Sequence, residues 1–173
     1  MEIALRPGTV DDKASLLGLF DEAVEWLSGR GLSGQWGSRP WSEVPDRRDR
    51  VSRLAGSPGL TVAVLGDDVV GALEVNESSP SYAPRTNEKN LYVYLLLASR
   101  RFVGQRIGSA LLEHARTDCR ARGLTLLRVD CWAGGRQELV SYYESQGFVA
   151  TERFDREGWP GQLLVQRLIE SRF

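Results

Sequence analysis

Apolar residues in this chain recur at two spacings, and the alternation between them outlines the fold before any side chain suggests chemistry. Ile3 to Arg6 reads as a short strand ended by Pro7-Gly8. Thr9 and Asp12, three residues apart, form a capping signature that opens a helix. Leu16, Leu19, Phe20, Ala23, Val24 and Leu27 then repeat at helical spacing up to Gly29. Gly29 to Pro45 is rich in Gly, Ser, Pro and Trp, which predicts irregular structure, although Trp36 and Trp41 make it too aromatic for an idle linker. Asp46 to Leu54 predicts a second helix that stops near Gly56.

Leu60 to Leu65 and Val69 to Val75 predict two strands joined as a hairpin by Gly66-Asp67-Asp68. Asn76 to Asn90, carrying Ser, Pro and Asn, predicts an exposed loop. Leu91 to Leu97 is apolar throughout, as expected of a central strand covered on both faces. A helix follows from Ile107 to Ala121, with Ile107, Ala110, Leu111, His114 and Ala115 on its apolar face and Gly123 as its stop. Leu124 to Cys131 predicts a strand, Gln137 to Gln146 a helix, and Gly147 to Phe154 and Gln162 to Ile169 two closing strands. The order is β-α-α-β-β-β-α-β-α-β-β, without an internal repeat, and it points to one mixed α/β domain over residues 1–173.

Composition narrows the function classes. The 22 basic and 23 acidic side chains nearly cancel, which argues against a general nucleic-acid binder. Only a local basic patch around Arg100, Arg101 and Arg106 stands out, and the arginines at 47, 48, 50 and 53 read as a solvated helix face. Cys119 and Cys131 are too few for a disulfide framework, and with a single histidine no metal site is expected. The opening Met1 to Pro7 lacks a basic region followed by an apolar core, and the longest apolar run is too short to cross a bilayer. The expectation is a cytoplasmic protein without a membrane partner.

The most informative local feature is Arg100-Arg101-Phe102-Val103-Gly104-Gln105-Arg106-Ile107-Gly108, between the most apolar strand and an amphipathic helix. Helix N-termini present unpaired N–H groups and the positive end of the dipole, which suits a pyrophosphate. The spacing is neither a dinucleotide fingerprint nor a P-loop. Downstream, Leu127 to Gly135 is followed by Leu139-Val140-Ser141-Tyr142-Tyr143-Glu144-Ser145-Gln146-Gly147-Phe148. Together these resemble the two signatures of the GCN5-related N-acetyltransferase (GNAT) superfamily. The first is its acetyl-CoA loop, Arg/Gln-x-x-Gly-x-Gly/Ala after a central strand. The second is a strand, a loop and a helix ending in Tyr-Glu-x-x-Gly-Phe. Gly104, Ile107, Gly108, Tyr143, Gly147 and Phe148 fit. Val103 stands where the family puts Arg or Gln, Arg106 replaces its middle glycine, and Gly135 occupies a place often held by Asn.

The resemblance implies a GNAT-like mixed, mostly antiparallel sheet of six to seven strands flanked by helices, with acetyl-CoA as co-substrate and no metal. It implies a ternary complex in which an amine attacks the thioester directly. A splayed V between the strand ending at Ala98 and the strand Leu124 to Cys131 would admit the pantetheine arm. Backbone groups of Leu96, Leu97 and Ala98 would bond that arm, and amides of Val103, Gly104, Gln105, Arg106, Ile107, Gly108 and Ser109 the pyrophosphate. Tyr143 falls at the family's acid position, where it would protonate the leaving thiolate. Many relatives carry a basic carboxylate on the central strand, but Leu91 to Ala98 has none. Glu74, Glu88 and Asp130 are therefore the candidates, with Glu74 ranked first.

The acceptor site is expected in Gln35 to Trp41 and Ser78 to Glu88. There Trp36, Trp41 and Tyr82 would make an aromatic wall, and Glu43, Glu77 or Glu88 would draw a cationic amine. Packing of the tryptophans over the first helices is the equal alternative. The partner is read as a small-molecule amine such as an aminoglycoside-like antibiotic, a polyamine or an amino-acid derivative. A protein or peptide amine and a non-catalytic acyl-CoA sensor are the competing readings. Oligomeric state stays open, a homodimer being common in the family.

Overall fold

The computed structural model describes residues 2–169, so Met1 and residues 170–173 of the expected domain lie outside it. The elements follow the predicted order: β1 (Ala4–Pro7), α1 (Lys13–Gly29), α2 (Pro45–Ala55), β2 (Leu60–Leu65), β3 (Asp68–Asn76), β4 (Leu91–Ala98), α3 (Ile107–Ala121), β5 (Leu126–Trp132), α4 (Glu138–Ser145), β6 (Val149–Arg156) and β7 (Trp159–Arg167). Single 3-10 turns occur at Val10–Asp12, Trp41–Glu43 and Arg100–Phe102. The strands form a seven-stranded sheet in the order β1-β2-β3-β4-β5-β7-β6. β4 and β5 are parallel, paired at Leu91 to Leu127 through Val93 to Val129. A parallel pair needs a long crossover, and α3 supplies it. The pairs β1–β2, β2–β3, β5–β7 and β6–β7 are antiparallel.

Two compact units divide the chain: residues up to Glu74 with Leu95–Leu112, and Val75–Tyr94 with the residues from Glu113 onward. In the first, the apolar stripe of α1 (Leu16, Leu19, Phe20, Ala23, Val24) meets Val51 and Leu54 of α2 and the β2 residues Leu60 and Val62. Gly71 on β3 permits a close approach. A Cβ there would lie 2.6 Å from Ile107 Cγ2 and 3.0 Å from the Leu97 carbonyl oxygen, so only glycine seats the start of α3 against the strand. In the second unit, β5, β7 and β6 form the antiparallel side, and Tyr92, Leu163 and Ala83 are buried together.

One expectation changes and two gain detail. β4 is covered on both faces only at Leu91 to Val93. Tyr94 is exposed, and Leu95, Leu96 and Ala98 are partly open, because apolar composition reports a surface to be covered and not what covers it. The segment between β3 and β4 is the exposed loop expected, and it is anchored at several points. The Tyr94 hydroxyl donates to the Ser78 carbonyl at 2.5 Å, Arg128 donates to Ser79 Oγ at 3.0 Å and to the Pro84 carbonyl, and Ala83 is buried. Finally, on α2 Arg48, Arg50 and Arg53 are exposed as expected, while Arg47 is half-buried with its guanidinium 4.4 Å from the Trp41 ring centroid.

Candidate active site

In the first unit, β4 delivers the chain into the glycine loop. The Ser99 amide donates to the Val70 carbonyl at 2.8 Å, and Arg100–Phe102 then makes one 3-10 turn. Gly104 has φ +92°, and a Cβ there would meet nothing within 4 Å, so the backbone turns in open space. Arg106 has φ +55° and its carbonyl accepts from Ala110 at 3.1 Å, making it the last residue before the helix. α3 runs for 15 residues. Its dipole places partial positive charge at its first-turn N–H groups. Beside them Gly104, Gln105 and Arg106 are exposed and Gly108 and Ser109 half-buried, while Ile107 is the buried anchor. This is a lining that can take a pyrophosphate on backbone donors.

In the second unit, β5 carries Asp130 among donors. Tyr92 donates to Asp130 Oδ2 at 2.5 Å, and the Tyr82 hydroxyl approaches the same oxygen at 3.5 Å. Burial raises the Asp130 carboxyl above the usual aspartate range, opposed by the Tyr92 bond, by Arg156, by Tyr82 and by Arg128. Tyr92 is itself pushed up, first by burial and then by the Asp130 charge. Arg128 and Asp130 are two residues apart on one strand and share its face, with the Arg128 guanidinium 5.4 Å from the Tyr92 ring. Cys131 belongs to the opposite face, its thiol pushed up to about 12 by burial and then by Asp130.

Tyr143 lies on α4, buried, with edge contacts to Tyr142 at 5.4 Å and Phe148 at 5.6 Å. Burial first, and then Cys131, Tyr142 and Asp130, hold its phenol well above the normal tyrosine range. It is therefore a protonated donor across the working range of pH. The backbone is left-handed on both sides of its helix: Gln137 precedes α4 at φ +61°, a strained value for a side-chain-bearing residue, and Gly147 follows it at φ +95°, which glycine adopts freely.

The acceptor candidates scatter into different roles. Trp41 is 1% exposed and stacks on Phe20 at 4.1 Å and 4°, while half-buried Trp36 tilts against both rings. Trp41 is thus core, and Trp36 the outer edge of the same cluster. Tyr82 joins Asp130 and lies under the Arg156 guanidinium at 4.0 Å. Glu88 is committed to Arg167 (2.8 and 3.3 Å) and Glu77 to Arg122 (2.9 Å), both in exposed pairs. Glu74 sits half-buried on β3 opposite Leu60, and Glu43 is exposed in its 3-10 turn.

Residues 20–148 match the acetyltransferase (GNAT) family. The chain belongs to that family. It is 30% identical over 150 residues to the Bacillus subtilis (strain 168) protein YesJ, described as an uncharacterized N-acetyltransferase; the match covers 82% of this chain and 79% of that one. Its fold is similar to a GNAT-family acetyltransferase from Listeria monocytogenes 4b F2365, with a TM-score of 0.71, 16% identity, and 96% of this chain and 95% of that one covered. It is also similar to yncA of Salmonella typhimurium, solved with its cofactor acetyl-CoA, with a TM-score of 0.63, 16% identity and 100% and 98% coverage. The chain is accordingly an acyltransferase of the N-acetyltransferase type whose donor is acetyl-CoA.

As a GNAT member it departs from the family's signatures in side chains while keeping backbone. Arg106 holds positive φ at the position of the middle glycine, a conformation that costs an L residue about 1–2 kcal/mol. Gly135, at φ +63°, keeps the left-handed backbone that asparagine tolerates best among other residues. Val103, where Arg or Gln is usual, is 79% exposed. Tyr92 and Arg128 went unmarked in the sequence because tyrosine suits any strand; the available signal was an ion pair of positions, Arg128 and Asp130, in an otherwise apolar strand. Glu22 and Trp26 of α1 carried no local signal. Among the described residues no group of three or more His, Cys, Asp or Glu could hold a metal ion, and no helix is long and apolar enough to cross a membrane.

Proposed function

We propose that this GNAT chain, acting as one catalytic domain in the cytoplasm, acetylates a primary amine of a compact small molecule: an aminoglycoside-like antibiotic, a polyamine or an amino-acid derivative. The observation that carries the reading is Asp130, a partly buried carboxylate with raised proton affinity, in the same unit as the protonated phenol of Tyr143. Direct acyl transfer needs one group of each kind. An amine with a pKa near 10 arrives as ammonium at neutral pH. Asp130 accepts its proton through water, and the freed nitrogen attacks the thioester carbonyl. The C–N bond forms as negative charge develops on the carbonyl oxygen. The C–S bond then breaks, and the thiolate of CoA takes the Tyr143 proton. Asp130 thus replaces Glu74 as the preferred base. Glu88, paired with Arg167, is the weaker candidate.

A compact acceptor is favoured over an extended peptide by the anchored segment 77–90. Tyr94, Arg128 and the buried Ala83 hold it over the face that carries Tyr92 and Asp130. Tyr82 on that segment offers an aromatic surface, and Trp36 offers another in the first unit. Homodimeric assembly belongs to the proposal and is read by light scattering.

The test is release of free thiol from acetyl-CoA against a panel of polyamines, aminoglycosides, amino-acid derivatives and peptides, with Tyr143→Phe alongside. Amine-dependent release that drops about 10²-fold in the variant is expected. Release unaffected by the change removes Tyr143 from the acid role, and preference for peptide N-termini moves the acceptor to proteins. Acetyl-CoA binding without release from any amine favours a sensor.

A further inference from the structure

We propose that Glu22 of α1 is a positioning residue for donor binding, fixing the entry of the loop that takes the pyrophosphate; this rests on reading residues 103–109 as that loop. The turn Arg100–Phe102 has no fully buried side chain of its own to fix its path. The definition comes from α1. Glu22 Oε1 accepts from Ser99 Oγ at 2.8 Å, from the Arg100 amide, and from the Arg101 amide at 3.2 Å. Glu22 Oε2 approaches Arg101 Nε at 3.5 Å. Three donors from three consecutive residues therefore converge on one carboxylate oxygen whose side chain is only 20% exposed.

One helical turn on, Trp26 holds the same segment by its side chain. The Arg100 guanidinium lies 3.7 Å from the indole centroid and that of Arg30 4.2 Å away. Burial and the neighbouring Arg30 lower the Arg100 pKa, partly offset by Glu22. Charge logic separates this role from direct ligand contact. A carboxylate near a phosphate site repels the ligand, so its placement makes sense only where its oxygens are occupied by the chain's own donors. Ser99 completes the link to the sheet: its amide bonds the Val70 carbonyl and its hydroxyl bonds Glu22. The loop thus leaves β4 on a fixed heading and reaches the left-handed Gly104 and Arg106 without a search. Preordering removes an entropy cost that binding would otherwise bear.

Calorimetric Kd values for acetyl-CoA and for acetyl-pantetheine, which lacks the pyrophosphate and nucleotide, test this in wild type, Glu22→Gln and Gly104→Ala. A glutamine cannot accept three donors on one charged oxygen. Loss of one or two charge-assisted bonds' worth of order is expected to weaken acetyl-CoA about tenfold while changing acetyl-pantetheine less than about twofold. Gly104→Ala, strained at its positive φ, is expected to shift the same ratio. Hydrogen exchange at residues 99–106 should quicken in Glu22→Gln. Ser99→Ala removes the hydroxyl that donates to Glu22 and accepts from the Arg101 amide at 3.2 Å, and provides a milder variant with a smaller shift in the same direction. If Gly104→Ala shifts the ratio while Glu22→Gln and Ser99→Ala weaken both donors equally or neither, Glu22 does not position the loop. If no variant shifts it, residues 103–109 do not read the pyrophosphate, and the positioning role goes with them.

Discussion

An isolated aspartate away from water is costly, and Asp130 keeps part of that cost despite two phenols and two arginines around it. Burial outweighs them, so its carboxyl binds a proton more readily in the folded chain than in the unfolded one. Between the ordinary aspartate value of about 3.9 and the raised folded value, the native state holds more protons, so this group's contribution to stability falls as pH rises through that window and stays low above it. Asn at this position removes the ion yet keeps an oxygen for the Tyr92 hydroxyl. Asp130→Asn is therefore expected to melt no lower than wild type near pH 7.5 while losing about 10²-fold or more in kcat/KM. The wild-type pH–rate profile should rise along an acid limb above pH about 4 that the variant lacks. Scanning calorimetry and the two profiles decide it: lower stability with an intact limb would make Asp130 a structural partner of Tyr92 and no base.

Between elements, the junction of β1 and α1 shows how much local chemistry the chain spends on one corner. Arg6 grips Asp12 with two nitrogens at 2.9 Å each, and the Thr9 amide donates to Asp12 Oδ2 at 2.8 Å. The Arg6 bond first, then the Thr9 amide and the Arg6 charge, lower the Asp12 carboxyl against the effect of burial. A depressed folded pKa adds stability that is present above the ordinary value of about 3.9 and is lost as pH falls through the folded one. Arg6 is 44% exposed, so solvent screens part of its attraction for Asp12. Asp12→Ala should cost about 1–2 kcal/mol at pH 7, and the gap to wild type should narrow below pH about 4 in urea titrations. A gap independent of pH would assign the loss to packing. The Thr9–Asp12 spacing made this corner legible in the sequence, because a cap is written within four residues. Its detail was not: a 3-10 turn intervenes before α1. β4 was misread at Leu95, Leu96 and Ala98 because hydropathy does not report how completely neighbouring elements cover a strand. The partnership of Tyr92 with Asp130 spans 38 residues, and no local rule reaches that far.

At the scale of the molecule, the order of elements was legible because the hydrophobic period changes cleanly at each boundary, and two loose motifs at the right separation led to the family. The turns of the candidate site were legible where backbone geometry needs a glycine, as at Gly104 and Gly147. The left-handed conformation of Arg106 was not, because arginine does not announce it, and the bonds of Glu22 to residues 99–101 were not, because they depend on a distant helix. The same contrast bears on donor affinity, since Val103 and Arg106 remove side-chain features of the family's loop but leave its backbone. If backbone amides carry the pyrophosphate, acetyl-CoA at 100 times its Kd should stabilise the chain by about 2.7 kcal/mol. For a chain of this length that corresponds to a rise in melting temperature of about 5–10 °C. Pantetheine at the same concentration should give a far smaller rise, because it lacks the group those amides hold. Thermal melts with acetyl-CoA, CoA and pantetheine make the comparison directly. Equal shifts for CoA and pantetheine would transfer the binding energy to the arm and leave the loop a turn; a flat melt with acetyl-CoA would mean that the two substitutions have removed donor binding that the backbone alone was expected to keep.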